Sequence, residues 1–382
     1  MKRFFLAGFF FLNILFVTGQ NGVTIVDSIL SGGIQRKFRL YIPNIYNSNT
    51  SVPLILNLHG YTSNATQQQF YSNFMPIADT ANFIIVHPEG TAPLGNQYWN
   101  AGFGSGANDV QFLSNLIDSI KASYNINLDE VYSCGMSNGG IMSYYLACNL
   151  SNRIAAIASV TGSMLNTWLT GLPTPPRPFP VMEIHGTSDG TVPYNGDGTF
   201  APIDSVIKKW RVYNNCNSAP VTFSVPNINT SDNCTAINYK YTGGTNGSSV
   251  ELYKITGGSH SWPGAANVIA NTNQDFSASI EIWRFFRQYK LSQFIIPASL
   301  QKNFSLPIIT VFPNPAKELI TINDAGSSTI TGIQITDVSG NQMKTESFGN
   351  TITITDLPAG VYVLKINSKN SPIRYSKFIK VN

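Results

Sequence analysis

Between about residues 23 and 290, short apolar runs alternate with longer amphipathic stretches. The apolar runs have the length of strands buried on both faces, and the amphipathic stretches are long enough to be helices covering them. The pattern therefore predicts an α/β fold built on a mostly parallel sheet. Strands are expected at Val52 to Leu58, Phe83 to His87, Glu130 to Cys134, Ile154 to Val160, Val181 to His185 and Val250 to Ile255. Helices are expected near 66–80, 107–123, 139–149, 202–214 and 274–289. Val23 to Asp27 and Gln35 to Ile42 alternate with period two and read as an antiparallel edge.

The texture changes from about 309. Thr, Ile and Val alternate in short bursts at Leu319 to Ile322, Thr329 to Thr336, Thr351 to Thr355, Val361 to Ile366 and Tyr375 to Val381. Turn residues separate them, which predicts a small β-sandwich. At the other end, Lys2 and Arg3 precede a largely apolar stretch from Phe4 to Val17 and then small or polar residues. Such a stretch spans about 21 Å of a roughly 30 Å hydrocarbon core, so it reads as a cleaved secretory leader and not an anchor. The expected organisation is a signal peptide over 1–19, an α/β domain over 20–292, a linker over 293–308 and the sandwich over 309–382. No later segment is long and apolar enough for a span, so the mature chain is expected to be free of the membrane.

Only 12% of residues are charged while 43% are hydrophobic, the profile of a folded, polar-uncharged protein. The formal charge of +4 becomes +2 without Lys2 and Arg3, leaving no basic field for nucleic acid. Four Cys and four His are scattered, with no Cys-x-x-Cys, so no metal or cofactor is expected. Cys216 and Cys234 flank a loop-like stretch in an exported chain, and a disulfide is expected between them. Cys134 and Cys148 read as buried free thiols.

Ester hydrolysis through serine needs an exposed hydroxyl, an imidazole to take its proton, a carboxylate to orient the imidazole, and amides for the oxyanion. Gly-x-Ser-x-Gly occurs at 135–139 and again at 186–190. The first follows an apolar strand and precedes a Gly- and Pro-free apolar run from Ile141 to Ala147, the strand–turn–helix context of a nucleophile elbow, so Ser137 is the candidate nucleophile. The second is followed by Pro193, Gly196 and Gly198, a loop in which Asp189 and not Ser188 is the useful residue. Asp189 follows the Val181 strand at the edge where such sites assemble, and Asp197 and Asp204 are its rivals. After Asp189 the chain holds one histidine, His260, which becomes the candidate base. His87 and His185 end apolar strands and read as core residues. His59 closes the strand before Gly60 and Tyr61, and the backbone N–H groups of Tyr61 and Asn138 are the candidate oxyanion hole. Tyr61, Trp99, Trp168 and Trp262 are candidates for an aromatic substrate cleft.

Taken together, LHG at 58–60, HPEG at 87–90, YWNAG at 98–102, Asp109-Val110, GMSNGG at 135–140, HGTSDGTVPY at 185–194 and GGSHSWPG at 257–264 resemble the extracellular poly(3-hydroxybutyrate) depolymerase-like esterases, which include feruloyl and acetylxylan esterases. The resemblance covers residues 30–290. It implies an α/β-hydrolase fold with Ser137, Asp189 and His260 as triad. Many members have Cys after His-Gly where this chain has Tyr61, which leaves room for aromatic esters or aromatic polyesters beside polyhydroxybutyrate. Pro313-Asn314-Pro315, Asp337 to Gly340, Leu357 to Tyr362 and Lys377 to Val381 resemble the C-terminal sorting domain of the type IX secretion system. That implies the secretion machinery as a partner and a secreted or cell-surface location. The expected activity is that of a monomeric, secreted serine carboxylic-ester hydrolase acting on polymer-linked or aromatic esters. A serine peptidase of the same fold and a non-catalytic surface binding protein are the alternatives.

Overall fold

The structure, a computed structural model, describes residues 22–93, 95–103, 106–171, 175–269, 271–294, 309–324, 330–337, 341–346, 349–369 and 371–382. The leader at 1–19 and nearly all of the expected linker, 295–308, lie outside the described residues. The chain divides into two units at residues 295 and 296.

The first unit is built on ten strands: β1 (Val23–Ser31), β2 (Ile34–Ile42), β3 (Val52–Leu58), β4 (Ile84–Pro88), β5 (Ile126–Met136), β6 (Ala156–Val160), β7 (Val181–Gly186), β8 (Val221–Ser224), β9 (Thr235–Tyr241) and β10 (Val250–Thr256). They form one sheet in the order β1-β2-β4-β3-β5-β6-β7-β10-β9-β8. The run from β4 to β10 is parallel, and an antiparallel pair finishes each side. The parallel strands alternate their side chains between two cores. Leu54, Leu56 and Leu58 of β3 face one, while Ile55 faces the other. Helices α3 (Asp109–Ser123), α4 (Asn138–Asn149) and α6 (Ile203–Tyr213) cover the first face, and α7 (Ala278–Phe286) covers the second. A continuous apolar run is thus what a strand covered on both sides requires.

Local chemistry sets the helix boundaries. The Asn108 and Ser277 side chains accept from the Gln111 and Ile280 amides, capping α3 and α7. The helix expected near 66–80 is two, α1 (Ala65–Ser72) and α2 (Met75–Ala81), because Asn73 takes φ 38° and ends the first before Pro76 enters the second. Trp168–Gly171 adds one short turn, α5. The sequence pattern did not announce β8 and β9. All four β8 residues are exposed, so no burial period marks that strand.

The expected Cys216–Cys234 disulfide is absent: all four cysteines are free thiols. Asn217 donates to Thr242 at one end of β9, whereas Cys234 sits at its other end, against Asp232 and Asn271. The seven residues of β9 span about 23 Å, against the roughly 7 Å between Cα atoms that a disulfide tolerates. Cys216 and Cys234 also belong to opposite cores of the sheet.

The second unit holds a three-stranded sheet of β11 (Ile309–Phe312), β12 (Leu319–Asp324) and β15 (Thr351–Thr353), in the order β11-β12-β15. Its other sheet is β14-β13-β16-β17, from β13 (Ile330–Asp337), β14 (Gln342–Glu346), β16 (Gly360–Ser368) and β17 (Ser371–Lys380). The strand pairings within both sheets are antiparallel among the described residues, and an isolated parallel bridge joins Ala316 to Lys380. Ile320, Ile322, Ile333, Ile335, Leu364, Ile366 and Phe378 fill the sandwich-like core, the inward half of the period-two pattern.

Candidate active site

Ser137 stands between the end of β5 and the start of α4 with φ 54° and ψ −118°. That left-handed backbone is costly for a residue with a side chain and holds the hydroxyl on a sharp turn. The turn is held by the Ser137 N–H donating to Val160 O at 2.8 Å and by the Ile141 N–H closing the first helical turn onto Ser137 O at 2.9 Å. Glycine is obligatory beside it. A Cβ on Gly139 would lie 2.1 Å from Leu58 O, and one on Gly135 would lie 2.5 Å from the same atom. The strand carrying Leu58 and His59 therefore runs directly over the elbow. A Cβ on Gly60 would stand 3.4 Å from that of Ser137.

His59 organises this overpass. Its Nε2 accepts from the Gly90 N–H at 2.9 Å, which leaves Nδ1 to donate to Gly60 O at 2.7 Å. Both ring nitrogens are committed to backbone, and burial lowers the ring's pKa, so His59 fixes the turn leading to Tyr61 and is not a base. Trp99 seals it from below: its indole N–H donates to His59 O, and its own N–H donates to Asn138 Oδ1 at 2.6 Å. The Asn138 amide opens α4, where first-turn N–H groups have no intrahelical acceptor. The loop bearing Trp99 is tied down by Asp109, which accepts from the Asn100 amide at 2.7 Å and pairs with buried Arg36 at 2.6 Å.

Asp189 lies just past β7. Its Oδ1 accepts from the Thr191 and Val192 amides at 2.8 and 2.9 Å, which turns Oδ2 toward His260 Nδ1 at 2.8 Å. Burial works to raise this carboxyl, but the hydrogen bond and charge of His260, the Val192 amide and His185 outweigh it and hold its pKa below the ordinary value. His260 follows β10 in a loop stitched to the Asp189 loop: the Ser188 N–H donates to Gly258 O at 2.9 Å, and the Gly257 N–H donates to Thr187 Oγ1 at 3.0 Å. With Nδ1 donating to Asp189, Nε2 of His260 keeps its lone pair, and the side chain is 20% exposed.

Strands β5, β7 and β10 are parallel members of one sheet, so the residues following them share one edge. Among the described residues no hydrogen bond joins His260 to Ser137. A cavity of about 160 Å³ has both Met136, beside Ser137, and Ser261, beside His260, in its wall, together with Tyr71, Trp262, Ala265 and Ile269.

The rivals stand apart from this cluster. Asp197 is exposed and accepts from Thr199 and Phe200 within its own turn, and Asp204 accepts from Tyr194. Of the four aromatic candidates, Trp262 lines the small cavity, and Tyr61 is 56% exposed with its hydroxyl accepting from Asn96. Trp168 packs between Tyr145 and Phe103, and Trp99 is fully buried under the elbow. His185 is more than a core residue. It bonds Glu183 and Val192 O and lies 3.4 Å from Asp189 Oδ2. No local pattern pointed to Glu183, which is an inward residue of a buried strand.

The sheet order and the strained turn define an α/β-hydrolase fold. Residues 310–381 match the secretion system C-terminal sorting domain. The bifunctional acetylxylan esterase/xylanase XynS20E of Neocallimastix patriciarum is 30% identical over 267 residues, 70% of this chain and 35% of its own length. Feruloyl esterase B of Piromyces equi is 31% identical over 237 residues, 59% of this chain and 42% of its own. This chain thus spans well under half the length of those relatives. An acetyl xylan esterase from Aspergillus awamori superposes with a TM-score of 0.50 at 14% identity, over 69% of this chain and 99% of that one, a likeness of fold. The chain is similar to feruloyl and acetylxylan esterases and carries a type IX sorting domain, which directs it outside the cell or to the cell surface. Among the described residues no helix is long and apolar enough to cross a membrane.

Proposed function

We propose that the chain is a secreted serine carboxylic-ester hydrolase working through an acyl-enzyme. One observation carries the reading: Ser137 sits at φ 54° on the strand–helix turn, on the sheet edge where Asp189 and His260 are bonded at 2.8 Å. Ser137 Oγ attacks the ester carbon while its proton passes to His260 Nε2, and Asp189 stabilises the resulting imidazolium. The Tyr61 and Asn138 amides take the oxyanion. Collapse expels the alcohol with the proton from His260, and water repeats the sequence on the acyl-enzyme. The catalytic unit is assigned to 20–292, with a leader at 1–19, a linker at 293–308 and a sorting unit at 309–382 that engages the type IX machinery.

Polymer-linked or aromatic esters are the proposed substrates. The apolar cavity between Met136 and Trp262 and the half-exposed Tyr61 favour a flat or bulky acyl group. The test is hydrolysis of a short nitrophenyl ester by the full chain. Turnover that survives Ser188→Ala and disappears in Ser137→Ala supports the proposal, and turnover retained in Ser137→Ala overturns it. Methyl ferulate, acetylated xylan, polyhydroxybutyrate and an aromatic polyester, compared side by side, then rank the substrates. Peptide cleavage without ester turnover would point to a peptidase.

A further inference from the structure

We propose that His185 is held as an imidazolium and acts as a positioning residue for the Asp189–His260 pair, an inference that rests on the triad reading above. Nε2 of His185 lies 2.8 Å from Val192 O, a carbonyl that can only accept, so Nε2 carries a hydrogen. Nδ1 lies 2.9 Å from Glu183 Oε1. Glu183 Oε2 already accepts from the Tyr144 hydroxyl at 2.8 Å; burial raises the pKa of Glu183, but its bonds to His185 and Tyr144 and the charge of His185 work against burial and favour the carboxylate. Nδ1 then donates as well, and a ring donating from both nitrogens is cationic.

Charge balance points the same way. Glu183 and His185 are both fully buried, and among the described residues the ion partner of Glu183 is this imidazole, with no Lys or Arg within bonding distance of it. An unpaired carboxylate there would carry a large desolvation cost. Burial disfavours the ring's charge, but Glu183's hydrogen bond and charge overcome it and raise the pKa of His185.

The consequence lies at Asp189, whose Oδ2 is flanked by His260 Nδ1 at 2.8 Å and His185 Nε2 at 3.4 Å. By holding Val192 O, His185 fixes the turn whose amides clamp Asp189 Oδ1. Its positive charge offsets part of the carboxylate's field at His260. The other groups facing it are Tyr144 from α4, Lys254, which stands opposite His185 in the β7–β10 register, and Tyr194, edge-on at 6.0 Å and donating to Asp204. Lys254 reaches the Tyr194 ring and not the carboxylates.

The test begins with the wild-type full chain labelled with ¹⁵N-histidine. At about pH 9, where an ordinary imidazole is neutral, one ring is expected to keep protons on both nitrogens, with that signal vanishing in His185→Gln. A neutral His185 tautomer at that pH overturns the proposal, whatever the variants do. In Glu183→Gln the ring should become neutral. The acidic limb of kcat/KM for the nitrophenyl ester should then move upward by about half a pH unit with KM little changed, because a nearby positive charge is lost together with a more distant negative one. A profile that stays in place in a folded Glu183→Gln protein refutes the positioning role. If instead Ser137→Ala retains turnover, the esterase reading fails while the labelled-histidine result still judges the charge on His185.

Discussion

His87 offers a quantitative test of how burial governs this protein in acid. It sits in β4, 1% exposed, and burial, reinforced by Arg39, pushes its pKa from the ordinary 6.5 down to about 3. The folded state therefore keeps His87 neutral where the unfolded chain takes up a proton. Below pH 6.5 the unfolded state binds more protons, so stability falls as pH falls and goes on falling until about pH 3. With a slope that grows to about 1.36 kcal/mol per pH unit below 6.5, the contribution of this one group is a loss of about 2.7 kcal/mol between pH 7.5 and 4.5. His87→Leu replaces the ring with an apolar side chain of similar volume and removes that slope. The assay is urea denaturation of wild type and variant at pH 7.5 and 4.5, followed by tryptophan fluorescence. All five tryptophans precede residue 296, so the signal reports the catalytic unit separately from the sorting unit. Other titrating groups are common to both proteins and cancel in the difference. The variant should lose about 2–3 kcal/mol less than wild type over that interval. Equal losses would mean that His87 gains its proton without unfolding and that its burial does not govern acid stability.

Three further outcomes are expected. Gly139→Ala should lower kcat for the nitrophenyl ester by about 10²-fold with circular dichroism preserved, because the new Cβ meets the Leu58 carbonyl and displaces the turn leading to Tyr61; unchanged kcat would separate that turn from the oxyanion hole. Asp109→Asn should destabilise the catalytic unit by about 3–5 kcal/mol in urea melts, since it strands the buried Arg36 guanidinium, and a loss under 1 kcal/mol would contradict the brace. A reducing agent should leave the melting temperature unchanged, in keeping with four free thiols, and a drop of several degrees would reveal a disulfide.

Much of the candidate site could be read along the chain because its signals are local. A run such as Val181 to His185 carries its own burial. The elbow declares itself by two glycines around Ser137 between a strand and a helix, and the order of Ser137, Asp189 and His260 needs no coordinates. Local chemistry also misled. Residues 66–80 read as one helix until the left-handed Asn73 broke it, and exposed β8 left no periodic trace.

By itself the sequence determined the α/β character, the two textures either side of residue 309 and the candidate nucleophile, since burial periodicity and turn chemistry act over a few residues. Tertiary structure decided what meets what. The sheet order β5-β6-β7-β10 brings loops some fifty to seventy residues apart to one edge and bonds Asp189 to His260. The same packing turns His59 into a brace for the Tyr61 turn, buries Glu183 against His185, and sets Cys216 and Cys234 at opposite ends of β9. These contacts depend on which strands become neighbours, a property of the whole sheet that no stretch of residues encodes alone.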